Sequence, residues 1–325
     1  MSRGSAPERS GTTVPGEASS QASVDPAALM RIKSLKLRAK TVVEGFFAGL
    51  HRSPTHGSSI EFSEYRAYVP GDDLRNLDWK LYARSDRYFI KKFEDETNRR
   101  CYLIVDQSRS MNYGTTGYSK MEYARTVAAT LAYFLTLQRD AVGVLTFDQE
   151  LGDFVPAKLG PKQFHQILVE LSRPAEGRGT DLEAPLRQIV SVVPRRGLMI
   201  LMSDLLAPAE TLQTQLSALR ARGHEVVLLR IIDPAEIEFS LPDPAMIVDS
   251  ETGRQIYVDP AVAKARYTER FNSHRREMEK TCEATGVGFY EMRTDQPLDR
   301  ALSSLIDAKN RMGKSARRTN RGGAR

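Results

Sequence analysis

The chain has 325 residues, of which 41% are hydrophobic and 27% are charged, a composition typical of a globular protein with ample material for a core. Its net charge of +6 would suggest nucleic-acid binding if it were spread over the chain, but six positive charges stand in a C-terminal stretch without acidic residues, at Arg311, Lys314, Arg317, Arg318, Arg321 and Arg325. Two cysteines exclude a disulfide framework, and no apolar run reaches the ~20 residues of a membrane span. We therefore expect a soluble, cytoplasmic protein.

The N-terminal region divides into a polar leader and a helix. Residues 1–25 are rich in Ser, Gly, Pro and Glu and have no apolar centre, which predicts a disordered leader rather than a signal peptide. From Pro26 to about Leu50, apolar residues recur at helical spacing with lysines and arginines between them. This pattern predicts a helix docked on the body of the protein with its basic face in solvent. Attachment of the same helix to an anionic membrane surface is the alternative.

Residues 57–98 are dense in polar and aromatic side chains, and Pro70-Gly71 supplies a turn, so this stretch predicts short strands and turns. Its arginines alternate with acidic residues, which would repel a bound phosphate. We interpret the set as an internal ion-pair network around the single tryptophan, formed by Arg66, Asp72, Asp73, Arg75, Asp78, Trp79 and Arg84. Residues 26–98 are accordingly predicted to pack on a main domain of residues 99–310, followed by a basic disordered tail of residues 311–325.

The rest of the chain alternates between strand-like and helix-like segments, which predicts an α/β fold with a doubly wound, mostly parallel sheet. The predicted strands are Tyr102 to Val105, Ala141 to Phe147, Leu198 to Met202, Glu225 to Ile232 and Gly288 to Met292. The predicted helices are Lys120 to Leu137, Lys162 to Leu171, Leu182 to Val193, Ala209 to Arg222, Pro260 to Ala284 and Leu298 to Asn310. A hairpin is predicted for Ile247 to Val258, around the Thr252-Gly253 turn.

Short oxygen-bearing side chains follow two of the predicted strands. Asp106, Ser108 and Ser110 come directly after the first, at a spacing of two that brings them to one side of a tight turn, and Asp204 ends a later apolar run. Thr180 lies in a glycine-containing loop between them. Ligand sites of open α/β sheets form at the carboxyl ends of the strands, and oxygen ligands suit hard divalent cations. These five residues therefore predict a site for Mg²⁺ or Mn²⁺.

The same five residues resemble the metal-ion-dependent adhesion site of von Willebrand factor A domains, with its Asp-x-Ser-x-Ser motif and its later Thr and Asp. The resemblance implies that the serines and Thr180 bind the ion, and that Asp106 and Asp204 bind it directly or through water. It also implies that a Glu or Asp of a protein partner supplies the last ligand. Asp-x-Ser-x-Ser by itself is equally compatible with a simple helix cap.

Together with this motif, residues 57–98 resemble a bacterial family known as domain of unknown function 58. The positions that carry the resemblance are Arg66, Tyr68, Gly71, Asp72, Arg75, Asp78, Trp79, Ala83 and Arg84. It extends over roughly residues 30 to 310. The family is associated with MoxR-type AAA+ ATPases, so the resemblance implies a non-enzymatic adaptor or co-chaperone.

Two other functions stay open at this point. A Mg²⁺-dependent hydrolase or phosphatase could use Asp106 as a nucleophile, but such enzymes carry a second Asp two residues later, where this chain has Ser108. The five histidines have neither metal-ligand nor catalytic-triad spacing. A peripheral membrane scaffold held by the N-terminal helix is the third possibility. No nucleotide-binding loop and no specific nucleic-acid site are predicted.

Overall fold

A computed structural model of the protein describes residues 24–52, 64–67, 89–92, 99–148, 150–175, 182–193, 195–239, 243–248 and 253–306. Several predicted features lie outside these residues: the leader up to residue 23, most of the Arg66 to Arg84 network with Trp79, the loop that contains Thr180, and the basic tail.

The chain alternates between strands and helices over most of its described length. The helices are α1 (Pro26–Met30), α2 (Leu35–Arg52), α3 (Lys120–Leu137), α4 (Gln163–Leu171), α5 (Glu183–Val192), α6 (Ala209–Ala221), α7 (Pro234–Glu238), α8 (Pro260–Thr285) and α9 (residues 299–306). The strands are β1 (Glu64–Ala67), β2 (Phe89–Lys92), β3 (Arg100–Asp106), β4 (Ala141–Phe147), β5 (Leu151–Lys158), β6 (Leu198–Ser203), β7 (Glu225–Ile232), β8 (Ala245–Val248), β9 (Gln255–Val258) and β10 (Gly288–Arg293).

A six-stranded sheet in the order β10-β7-β6-β3-β4-β5 forms the centre of the described structure. All neighbouring strands pair in parallel except β4 and β5, which are antiparallel. The order runs outward from β3 in both directions, so the crossover helices cover both faces of the sheet. The predicted doubly wound, mostly parallel α/β fold is thereby confirmed.

Alternating side chains of β3 supply the cores on the two faces of the sheet. Leu103 and Val105 pack in one buried cluster with residues of α2, α3, α4 and α9, whereas Tyr102 and Ile104 pack in the other with residues of α5, α6 and α8. Strands covered on both faces have apolar side chains at successive positions, which is the pattern that marks β3, β4 and β6 in the sequence.

The edge strand β5 is absent from the sequence prediction. Its side chains are mostly half-buried or exposed, and it contains Gly152 and Pro156, so it lacks the apolar pattern of the inner strands. Proline is tolerated at a sheet edge because no ladder hydrogen bond is lost there. Its pairing with β4 is irregular where Gly143 faces it: a Cβ at this glycine would lie 2.6 Å from the Val155 carbonyl oxygen.

The predicted N-terminal helix is divided in two by residues 31–34. Helix α2 packs on α3 through the buried side chains of Ala39, Val42 and Val43, and the rings of Phe46 and Phe47 contact Phe134. Most of its basic residues are exposed, as the periodicity predicts. Arg38 is the exception, since its side chain is buried between the two helices.

Two antiparallel pairs lie outside the central sheet. Strands β1 and β2 pair within the stretch predicted to form short strands, and β8 pairs with β9 in the predicted hairpin, which begins two residues earlier than expected, at Ala245. None of the helices in the described ranges combines the length and the apolarity that crossing a bilayer requires.

Candidate metal centre

The polar residues predicted to bind a metal lie where β3 and β6 end side by side. These strands are parallel neighbours with Val105 opposite Met202, so Asp106 at the end of β3 stands beside Ser203 at the end of β6. Asp204 follows immediately. Asp106 is completely buried, and Asp204 is nearly so, with 2% of its surface exposed.

Asp106, Ser108 and Ser110 form one tight turn. One carboxylate oxygen of Asp106 accepts a hydrogen bond from the Ser108 backbone N–H at 2.8 Å, and Ser108 then begins a 3₁₀ turn over Arg109–Asn112. The side chain of Ser108 makes no capping hydrogen bond to that turn. Its hydroxyl lies instead 3.1 Å from the hydroxyl of Ser110. Ser108 thus occupies the N-cap position, as the alternative interpretation of the motif predicts, but its side chain does not cap the turn.

The loop after β6 is held by a buried serine and a buried leucine. Ser203 Oγ donates to the second carboxylate oxygen of Asp106 at 2.6 Å and accepts from the Leu205 N–H at 3.0 Å. Leu205 is fully buried although its backbone is left-handed, with φ of 57°. The next residue, Leu206, is turned out to solvent beside Asp204.

A buried ammonium group contacts the second predicted acidic ligand. Lys120 Nζ donates to Asp204 Oδ2 at 2.9 Å and to Glu236 Oε1 at 2.6 Å. Lys120 is the first residue of α3, directly after the N-cap Ser119, and only 1% of its surface is exposed. The ring of Tyr113 lies on its other side, 5.8 Å from Nζ to the ring centre.

Glu236 is fixed by the start of α7. Its other carboxylate oxygen accepts the Asp233 backbone N–H at 2.8 Å, as part of a capping box. The buried carboxylate of Asp233 accepts from the backbone and hydroxyl of Thr115, at 2.8 and 2.5 Å. The loop after β3 and the loop after β7 are thus joined by side chains next to the site.

Burial and close charges together set the pKa values of the site. Burial raises the pKa of the Asp106 carboxyl group to about 7, and the negative charge of Asp204 acts in the same direction, against hydrogen bonds from Ser203 and Ser108. Burial alone would lower the pKa of Lys120, but Asp204 and Glu236 outweigh it and raise this pKa above its ordinary value. The ammonium group therefore stays charged.

A hard divalent cation fits the turn after β3. Neighbouring oxygen ligands of an octahedral ion with metal–oxygen bonds of about 2.1 Å lie about 3 Å apart, and the hydroxyls of Ser108 and Ser110, joined by a hydrogen bond of 3.1 Å, have this spacing. No group of three or more His, Cys, Asp or Glu side chains is placed to hold a metal within the described ranges, so an ion here would depend on hydroxyl ligands. Asp204 is a less straightforward ligand for such an ion, because Lys120 already donates a hydrogen bond to one of its carboxylate oxygens.

The structure brings together Asp106, Ser108, Ser110 and Asp204, whereas Thr180 lies outside the described residues. Sequence reasoning missed Ser203, Lys120 and Glu236. A signal for Lys120 does exist: the first turn of a helix favours acidic residues, so a lysine at its first position is out of place. Nothing in the sequence distinguishes Ser203 from other serines at strand ends.

Comparison with known proteins places this site within a family. The sequence profile described as "Protein of unknown function DUF58" matches residues 64–281. Among individual proteins, "Uncharacterized protein Mb1516" of Mycobacterium bovis is 29% identical over 280 residues, which cover 84% of this chain and 86% of that protein.

Solved structures with a similar course of the chain include an aerotolerance-related membrane protein from Bacteroides fragilis NCTC 9343. It is 15% identical, with a TM-score of 0.44 over 65% of this chain and 99% of that one. The SpRpn10 VWA domain is 8% identical, with a TM-score of 0.39 over 63% and 93% of the two chains. Likenesses of this size add nothing to the fold assignment, which rests on the order of the strands.

Proposed function

Because the matched profile covers more than half of the chain, the protein belongs to the DUF58 family of proteins of unknown function, and we propose that it is a non-enzymatic, metal-dependent protein-interaction module. In this proposal Asp106, Ser108, Ser110 and Asp204 bind Mg²⁺ or Mn²⁺, with Thr180 as a further ligand. The main support for this proposal is that the hydroxyls of Ser108 and Ser110 lie close together beside the fully buried carboxylate of Asp106.

The proposed ligands leave room for an outside anion. Three of the five are neutral hydroxyls, and the charge of Asp204 is shared with the ammonium group of Lys120. An ion bound by Asp106 and these groups keeps part of its positive charge and attracts a further carboxylate. The exposed side chains of Tyr113 and Leu206 stand near Lys120 and Asp204 and would meet the surface of a protein that offers it.

The arrangement of the acidic groups argues against a phosphatase. A general acid-base partner for Asp106 would need a free carboxyl group, but the neighbouring Asp204 is tied to Lys120.

The class of partner comes from the sequence resemblance. Association of this family with MoxR-type AAA+ ATPases supports the role of an adaptor or co-chaperone, in which the ATPase or its client presents a Glu or Asp to the bound ion. In this proposal the partner's contact point is a carboxylate, which the positive charge of the bound ion attracts.

Thermal unfolding in the presence of metal tests the site. Mg²⁺ or Mn²⁺ should raise the melting temperature of the wild type, because a ligand that binds only the folded state stabilises it. Asp106→Asn keeps the size of the side chain and should remove most of this increase. Glu150→Gln is the matched control, since it removes an exposed carboxylate from the turn after the neighbouring strand β4 and should leave the increase unchanged.

Affinity capture tests the interaction itself. Partner proteins should elute from the immobilised wild type in EDTA and rebind when Mg²⁺ is restored. Ser108→Ala should weaken capture while the far-UV circular dichroism stays unchanged. Equal metal responses of the wild type and Asp106→Asn, or capture that ignores EDTA, would contradict the proposed function.

A further inference from the structure

We infer that Lys120 is a built-in competitor of the divalent cation for Asp204, so that an ion can bind Asp204 Oδ2 only when the ammonium group turns wholly to Glu236. The inference rests on the proposed function and adds a means of controlling cation affinity at the same site. Nζ bridges the two carboxylates, at 2.9 Å from Asp204 and 2.6 Å from Glu236.

The location of Lys120 is not explained by the helix that carries it. The N-terminus of a helix carries a partial positive charge, which disfavours a cation in the first turn. Burial of the ammonium group adds a further cost that only close carboxylates offset. A lysine at this position is therefore explained by what it contacts, and its contacts are the predicted metal ligand Asp204 and the carboxylate of Glu236.

Lys120 is also not a recognition group for a partner. With 1% of its surface exposed, its ammonium group is closed to a carboxylate arriving from outside. Its charge acts inward, on Asp204. In the absence of a divalent ion, the ammonium group neutralises the buried carboxylate of Asp204. It thereby holds the loop after β6 in place.

Glu236 provides the second position for the ammonium group. Its carboxylate is held by a hydrogen bond from the Asp233 backbone N–H. It therefore remains available as an acceptor when the ammonium group of Lys120 leaves Asp204. The Tyr113 ring offers a further favourable surface for the cation. Without such a second position, the ammonium group of Lys120 would stay beside Asp204. It would then repel a divalent ion at Asp204 strongly in this buried setting.

Direct measurement of Mn²⁺ binding by electron paramagnetic resonance tests the competition. Lys120→Gln and Lys120→Met, which keep most of the length of the side chain and remove its charge, should bind Mn²⁺ more tightly than the wild type, by on the order of tenfold or more. Arg109→Gln is the control for charge alone. It removes an exposed cation from the loop between Ser108 and Ser110 and should change the affinity by no more than about twofold.

A double-mutant cycle with Glu236→Gln separates the second position from simple charge. In the otherwise wild-type protein, loss of this carboxylate should weaken Mn²⁺ binding, because Lys120 then holds Asp204 more firmly. In the Lys120→Gln background the same change should have a much smaller effect. Equal effects in the two backgrounds would show that Glu236 acts only through its charge and would overturn the inference.

The outcomes distinguish this inference from the proposed function. If the wild type and the Lys120 variants bind Mn²⁺ equally, Lys120 does not compete, while the proposed metal site stands. If only the Lys120 variants bind, the competition is confirmed and metal-dependent recognition by the wild type fails. If none binds, both fail. Should the Lys120 variants not fold, unchanged Mn²⁺ binding by Glu236→Gln overturns the competition.

Discussion

His224 is a buried histidine at the end of the sheet opposite the candidate metal centre. It precedes β7, only 2% of its surface is exposed, and its Nδ1 atom has no hydrogen-bond partner among the described residues. Burial, and then the positive charge of Arg222, lower the pKa of its imidazole below the ordinary value of 6.5. The folded protein therefore holds this side chain neutral at pH values where the unfolded chain already takes up a proton.

His224 therefore contributes a loss of stability on mild acidification. As the pH falls below about 6.5, protons bind to this side chain in the unfolded state first, which lowers the free energy of unfolding. Asp106, whose pKa is raised in the folded protein, contributes in the opposite direction in the wild type and in the variant alike. Between pH 7.5 and 5.5, the free energy of unfolding of His224→Gln, measured in urea, should therefore fall less or rise more than that of the wild type. The exposed His165 is the control, and His165→Gln should keep the wild-type change. If His224→Gln keeps it too, His224 makes no such contribution.

Single residues also limit what the sequence could predict about the site. Asp106, Ser108, Ser110 and Asp204 were found because short oxygen-bearing side chains at strand ends have a recognisable pattern. Lys120 and Glu236 were missed because they come from the start of α3 and from α7, and only the packing of these helices brings them to Asp204. A pattern along the chain does not report a contact between distant segments.

Helix α2 is joined to α3 by one buried arginine. Arg38 donates to the carbonyl oxygens of Met30 and Ile32, at 2.6 and 2.5 Å, and to Glu122 Oε1 at 2.8 Å. It thereby fixes the segment between α1 and α2 and links this segment to α3. Glu122 is 42% exposed, so solvent weakens the ion pair, and the two carbonyl contacts carry most of the effect.

Loss of this arginine should loosen the N-terminal helices. Arg38→Met leaves buried carbonyl groups without their donor and should lower the free energy of unfolding by about 2–4 kcal/mol. Limited proteolysis should cut earlier within residues 24–52 of the variant. Lys36→Met, on an exposed position of the same helix, is expected to change neither measurement. A stable, protease-resistant Arg38→Met variant would mean that apolar packing alone holds α2.

Secondary structure was predicted best where elements are buried. The strands β3, β4, β6 and β7 and most of the long helices have boundaries within two residues of those expected, because apolar runs and helical periodicity record burial directly. The edge strand β5 was missed because it is not buried and therefore lacks an apolar run. Its side chains face solvent at many positions, and only its pairing with β4 makes it a strand.

The molecule as a whole depends on β3, a central strand that, like β4, β6 and β7, contributes to both cores. Leu103 is fully buried on one face. Leu103→Ala should lower the free energy of unfolding by about 2–5 kcal/mol through lost burial and the cavity left behind. The exposed Leu137 is the control, and Leu137→Ala should change it by no more than about 0.5 kcal/mol. Chemical denaturation followed by far-UV circular dichroism measures both, and similar values would contradict a central role for β3.

Leu205 links that apolar interior to the candidate metal centre. A left-handed backbone at a leucine costs about 1–2 kcal/mol, whereas burial of its side chain contributes about 1.5–3 kcal/mol. Burial thus outweighs the backbone cost, and the conformation of the loop after β6 is set by how leucine fits the core rather than by what its backbone prefers. Asp204 precedes this anchor by one residue. The position of Asp204 therefore depends on an apolar neighbour, and repacking of the core beneath Leu205 would shift Asp204 without altering any polar group of the candidate site.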